Sequence, residues 1–187
     1  MVSNVSDEKT FVMNMIYKVV IRLPETVARR LRDLGVDVEA KLIDVLIHEL
    51  NMDPTDEVRA RAELAEKYLE EGEKLVDKDT VQACEKLYKV AEEAIKALAV
   101  AEKLEEANKA KERGRWTLSL LDAAARKLSE KINERIYDDW DHAYFLHVEG
   151  FHEARLKPEQ VRARLKYVKE LLGILKERAH MEAKQQA

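Results

Sequence analysis

Apolar residues recur every three or four positions over most of this chain, the period of helices with one buried face. The steps at Leu64, Ala65, Tyr68, Leu69, Leu75 and Val76 predict a helix over about 55–76. DKDT interrupts it, and Asp79 offers a cap for the next helix. Cys84, Leu87, Tyr88, Ala91, Ile95 and Leu98 carry that helix to about residue 107. Gly114 marks a turn. A third helix starts near Trp116 and buries Leu121, Ala124, Ala125, Leu128 and Ile132. A fourth carries Trp140, Tyr144, Leu146 and His147. Pro158 opens the last, with Val161, Leu165, Val168, Leu172 and Leu175 inside. The tail HMEAKQQA is expected to fray. Long helices with short connections predict an antiparallel bundle.

The period changes at one place. In YKVVIRL, residues 17–23, Val19, Ile21 and Leu23 face one way while Lys18, Val20 and Arg22 face the other, as in a strand. Pro24 ends it and opens a helix that stops at Gly35. Asp37 can cap a second helix, VEAKLIDVLIHEL, and NMDPTDE follows as a linker. Strand, short helix, glycine turn and second helix over residues 15–50 resemble the ribbon-helix-helix module of small DNA-binding regulators. A lone strand needs a partner for its edges, and a second copy of the chain can supply one. The resemblance implies that Lys18, Val20 and Arg22 enter the major groove. The plainer alternative is a strand that only pairs chains.

Composition sharpens this picture. Charged residues make up 37% and hydrophobic residues 46%, with 5 Gly and 3 Pro, so breakers are scarce and an all-α protein is expected. The formal net charge is −4, which gives no global attraction to nucleic acid. The lone cysteine, Cys84, makes no internal disulfide, reads as a small core residue, and fits a cytoplasmic location. No apolar run is long enough to span a bilayer, and the N-terminus lacks the features of a secretory signal.

Several segments together carry a second resemblance. LAEKYLEEGEKLVDKDTVQACEKLYKVAEEAIKALA, then GRWT at 114–117, the AxxLH spacing at 143–147 and the spaced valines and leucine of 161–168 resemble the archaeal PaREP family of HEPN-like helical proteins. The resemblance covers about residues 53–178. It implies a dimeric bundle. Many HEPN-like domains are metal-independent ribonucleases with an Arg-x4–6-His motif, whose histidine moves the ribose proton and whose arginine steadies the phosphorane. Others only bind nucleotides or proteins.

Arg135 and His142 fit that spacing. Seven residues turn through about 700° on a helix, so both fall on one face. A chain with this many arginines and five histidines offers such a pair by chance on the order of once. Aligning the helix ends instead places the motif histidine at His147, with His142 where the arginine belongs. Metal binding is not expected. On a regular helix His142, His147 and His152 step round by about 140° each, so three ligands diverge unless Gly150 breaks the helix. The plainer reading makes His147 a hydrogen-bonded core residue and puts His142 and His152 at a surface or interface. Tyr68 and Tyr88 could form a nucleotide pocket, and Trp116 and Trp140 could stack bases, but all four are expected in the core.

The expected architecture is an all-α, HEPN-like antiparallel bundle over 53–187 with a strand-helix-helix element over 1–52. No cofactor is implied. The expected partner is a second copy, in a homodimer or higher oligomer, with nucleic acid a possible ligand and no membrane. The leading function is a non-catalytic binding module, in the manner of a toxin-antitoxin or mobile-element partner. A ribbon-type DNA regulator and a ribonuclease using Arg135, His142 or His147 are the alternatives.

Overall fold

The computed structural model of the chain describes residues 22–33 and 38–185. Among them the protein is helical, with no strand. It divides into two compact units, Met1–Lys41 and Leu42–Ala187. The first unit holds α1 (Glu25–Asp33). The expected strand at 17–23 lies outside the described residues up to position 21, and Arg22, Leu23 and Pro24 carry no regular structure. Gly35 and Asp37, the expected stop and cap, also lie outside them. Helix α2 (Val38–Glu49) crosses the boundary between the units.

The larger unit is a bundle of α3 (Pro54–Leu75), α4 (Thr80–Ala101), α5 (Glu105–Arg113), α6 (Leu118–Lys131), α7 (Arg135–Phe145) and α8 (Pro158–Gln185). Local chemistry sets most of the helix starts. The Asp53 carboxylate accepts from the N–H groups of Thr55 at 2.9 Å and Asp56 at 3.1 Å, and Pro54 fills the first turn. Asp79 accepts from the Gln82 N–H at 3.0 Å and starts α4. Thr117 does the same for α6.

Helix α4 runs through the centre and packs against α3, α5, α6, α7 and α8. It is buried along most of its length, and its alanines (Ala83, Ala91, Ala94, Ala97 and Ala99) let neighbours approach on several sides. Tyr68, Tyr88 and Trp140 are buried in this core, as expected. Trp116 is only half-buried and precedes α6.

One helix ends earlier than its pattern predicts. Helix α4 stops at Ala101, not near 107, because Lys103 takes a left-handed conformation with φ 54°. The Leu104 N–H then returns to the Ala99 carbonyl at 2.9 Å, and Leu104 packs against the core. This is a helix-ending motif without its usual glycine.

Candidate functional site

The segment that follows α7 does not keep the α-helical turn. Leu146–His152 is a π-helical stretch, a wider turn closed by bonds to the fifth residue. The Glu153 N–H donates to the Val148 carbonyl at 3.0 Å, and Ala154 (φ 51°) ends the segment. Gly150 lets this segment lie directly against α4. Its backbone lies on Cys84 of α4, with no room for a side chain between them. Burial pushes the Cys84 thiol up to about 11.

The wide turn changes which residues meet. Five positions apart, His147 and His152 come together, with their Nε2 atoms 3.0 Å apart. Behind them Glu85 of α4 holds the His147 Nδ1 at 2.8 Å. The His147 ring stacks on Tyr88, with centroids 4.1 Å apart. The result is a carboxylate–imidazole–imidazole chain that leads from a half-buried glutamate to an exposed histidine. His147 is thus hydrogen-bonded, as its plainer reading had it, but only half-buried. The expectation that the histidines diverge holds for an α-helix; this pair sits on a π-helix.

The other candidates are placed apart from that chain. Arg135 is half-exposed and donates to Glu170 at 2.6 Å, a bond that raises its pKa. His142 stacks on Tyr167 with centroids 3.6 Å apart; burial and then the Arg164 charge lower its pKa. Among the described residues, no hydrogen bond, ion pair or ring contact joins Arg135 to His142, or either of them to His147. Lys18 and Val20 lie outside the described residues, and Arg22 is exposed.

Spacing gave no warning of a second feature, a buried ionic network. Arg61 of α3 is 3% exposed and reaches three carboxylates: Glu93 at 2.7 Å, Asp44 at 2.9 Å and Glu57 at 2.9 Å. Lys96 is 1% exposed and binds Glu93 at 2.7 Å, Glu92 at 2.9 Å and Asp44 at 3.3 Å. Burial works to discharge both cations, and the carboxylates overcome it, so both stay charged with raised pKa values. The one visible signal was the pair of glutamates and the lysine at 92, 93 and 96 within an otherwise apolar helix.

Beside this network lies a cavity of about 220 Å³. Its apolar walls are Ile47, Met52, Val100, Ala107 and the Trp116 ring. Residues at or just past the C-terminal ends of three helices line it: Ile47 and Met52 of α2, Val100 and Lys103 of α4, and Lys111 and Gly114 of α5. Asn51 (φ 46°), Lys103 (φ 54°) and Gly114 (φ 64°) end α2, α4 and α5 in left-handed turns. At Gly114 this turn lets the Arg115 N–H reach the Ala110 carbonyl at 3.0 Å, and it brings Arg115 and Trp116 to the cavity wall. Four cations (Arg61, Lys103, Lys111 and Arg115) face two carboxylates, Asp44 and Glu57. Part of that positive excess offsets the helix C-termini, which carry about half a negative charge each.

Residues 60–172 match the archaeal PaREP1/PaREP8 family. The chain belongs to that family. The match runs from α3 into α8 and takes in the histidine pair, Glu85, Arg61 and Trp116. Helix α2, with Asp44, lies before the part matched to PaREP1/PaREP8. A crystal structure of a Sulfolobus solfataricus protein is 42% identical, with a TM-score of 0.59, over 62% of this chain and 95% of that one. A solution structure of the same target is 43% identical, with a TM-score of 0.55, over 61% of this chain and 89% of that one. Among curated proteins none matches significantly.

Proposed function

We propose that this PaREP1/PaREP8 chain is a non-catalytic, HEPN-like binding module whose ligand is a small organic anion with a flat apolar body. The cavity beside Arg61 supports this reading. Trp116 offers a flat face, Ile47, Met52 and Val100 give apolar walls, and Arg115 and Lys111, which donates only a long 3.4 Å bond to Asn51, supply charge for an acidic group. The ionic network behind it holds Arg61 rigid and so fixes that wall of the cavity. In a toxin-antitoxin or mobile-element setting, the occupied module would dock a partner chain, with a second copy of itself as the expected assembly. Calorimetry with nucleoside monophosphates and aromatic carboxylates tests the cavity. Saturable binding that weakens with salt and with Lys111→Glu or Arg115→Glu is expected. No saturable heat across the panel at millimolar ligand rejects the reading.

One observation favours a second reading, a metal-independent ribonuclease. An imidazole oriented by a carboxylate and touching a second imidazole can pass a proton, which phosphodiester cleavage through the 2′-hydroxyl requires. Arg135 does not serve that pair, because Glu170 holds it elsewhere. RNA cleavage in EDTA decides the matter, with His142→Ala, His147→Ala and His152→Ala beside the unmodified protein. Absence of cleavage by the unmodified protein ends the ribonuclease reading.

A further inference from the structure

We propose that His147 and His152 form a binding site for a divalent transition-metal ion of the copper or nickel type, oriented by Glu85. The argument starts from the gap between the rings. An ion about 2.0–2.1 Å from two imidazole nitrogens that are 3.0 Å apart subtends roughly 95° at the metal. That is the angle between neighbouring ligands in a square-planar or tetragonal site, the geometry of Cu²⁺ and Ni²⁺ with nitrogen and oxygen ligands. A tetrahedral Zn²⁺ would need the nitrogens about 0.3 Å further apart.

The rings are set for this. Their centroids lie 4.4 Å apart and their planes cross at 77°. Two rings meeting head-on across a 3.0 Å gap would have more distant centroids, so these rings lean against each other and leave a corner. Glu85 supplies the support behind them. A metal-bound histidine usually gives its other ring N–H to a carboxylate, which fixes the tautomer and strengthens the ligand. His147 Nδ1 meets Glu85 at 2.8 Å, which leaves its Nε2 lone pair for the ion. His152 must also offer Nε2, so its proton moves to Nδ1 through solvent and no net proton is lost.

Solvent reaches the pair through His152, which is exposed, while the His147 side chain is 21% exposed. Among the described residues no third His, Cys, Asp or Glu is placed to hold the same ion. Water therefore completes the shell, and affinity is that of a two-histidine chelate. The π-helical turn is what builds the chelate, and without it the two rings would lie about 140° apart around the helix axis.

The test is a Cu²⁺ titration of the full chain followed by calorimetry and electron paramagnetic resonance. One site with hyperfine coupling from two nitrogens is expected. His152→Ala should weaken it at least tenfold, and Glu85→Gln by about tenfold or more at unchanged stoichiometry. His142→Ala should leave it unaltered. His152 is exposed, so its variant remains informative even if His147→Ala folds poorly. Equal Cu²⁺ binding by the unmodified protein and His152→Ala, or a signal from a single nitrogen, overturns the proposal.

Discussion

A Cβ built on Gly150 would stand 2.3 Å from the Sγ of Cys84 and 2.7 Å from its Cβ. The π-helical segment and α4 touch there through backbone and thiol alone. Gly150→Ala should therefore force the segment off α4. Overpacking of this kind costs about 1–3 kcal/mol. Urea unfolding of Gly150→Ala measures it, and Cys84→Ala in the same chain should recover only part of the loss, because the Cβ remains. A Gly150→Ala protein as stable as the original would show that the seam yields freely.

Arg61 and Lys96 each hold three carboxylates of the ionic network. Removing one partner of a buried ion pair strands the others, at a cost of about 3–5 kcal/mol. Arg61→Ala should lower the urea midpoint accordingly, since Asp44 and Glu93 would keep only Lys96 and Glu57 would lose its bond to the guanidinium. A loss below about 1 kcal/mol would mean that water already screens the network.

Glu92 gives this network an acid limit. Burial works to raise its carboxyl, but Lys96 and then Lys89 hold it down at about 2. Its stabilising share is complete above its ordinary value of 4.5 and fades as pH falls from there toward 2. Glu92→Gln should flatten that limb in melts recorded between pH 5 and about pH 2. A limb as steep as the original would assign acid unfolding to other carboxylates.

Asp139 has the opposite sign. It is fully buried on α7, and neither carboxylate oxygen has a hydrogen-bond partner. Burial, then the charge of Glu170, raises its pKa to about 6. The protonated carboxyl is favoured on folding, so this share of stability is present below pH 4 and is lost as pH rises through about 6. Asp139→Asn should be neutral near pH 4 and stabilising by roughly 2 kcal/mol at pH 7. Equal stability differences at the two pH values would show that Asp139 titrates normally.

Much of the bundle was legible before the structure because its signals are local. Asp53, Pro54 and Asp79 mark helix starts by chemistry that acts within one turn, and the apolar steps of α4 and α8 name their buried faces. What escaped depends on distant partners. Nothing near Lys103 breaks a helix, since it holds neither glycine nor proline; the break follows from Leu104 reaching the core. Arg61 carries no local mark of its burial, because its partners Asp44 and Glu93 lie 17 and 32 positions away. Arg135 and His142 had the right spacing, but spacing does not say that Glu170 and Tyr167 will take them. The meeting of His147 and His152 needed a change of helical period, and Gly150 was its only local sign.

Cys84 is the chain's only cysteine, and it is sealed beneath the π-helical segment. A thiol reagent can reach it only when that seam parts. The labelling rate of the native protein is thus a clock for one local event, the lifting of residues 146–152 from α4, read without any added probe.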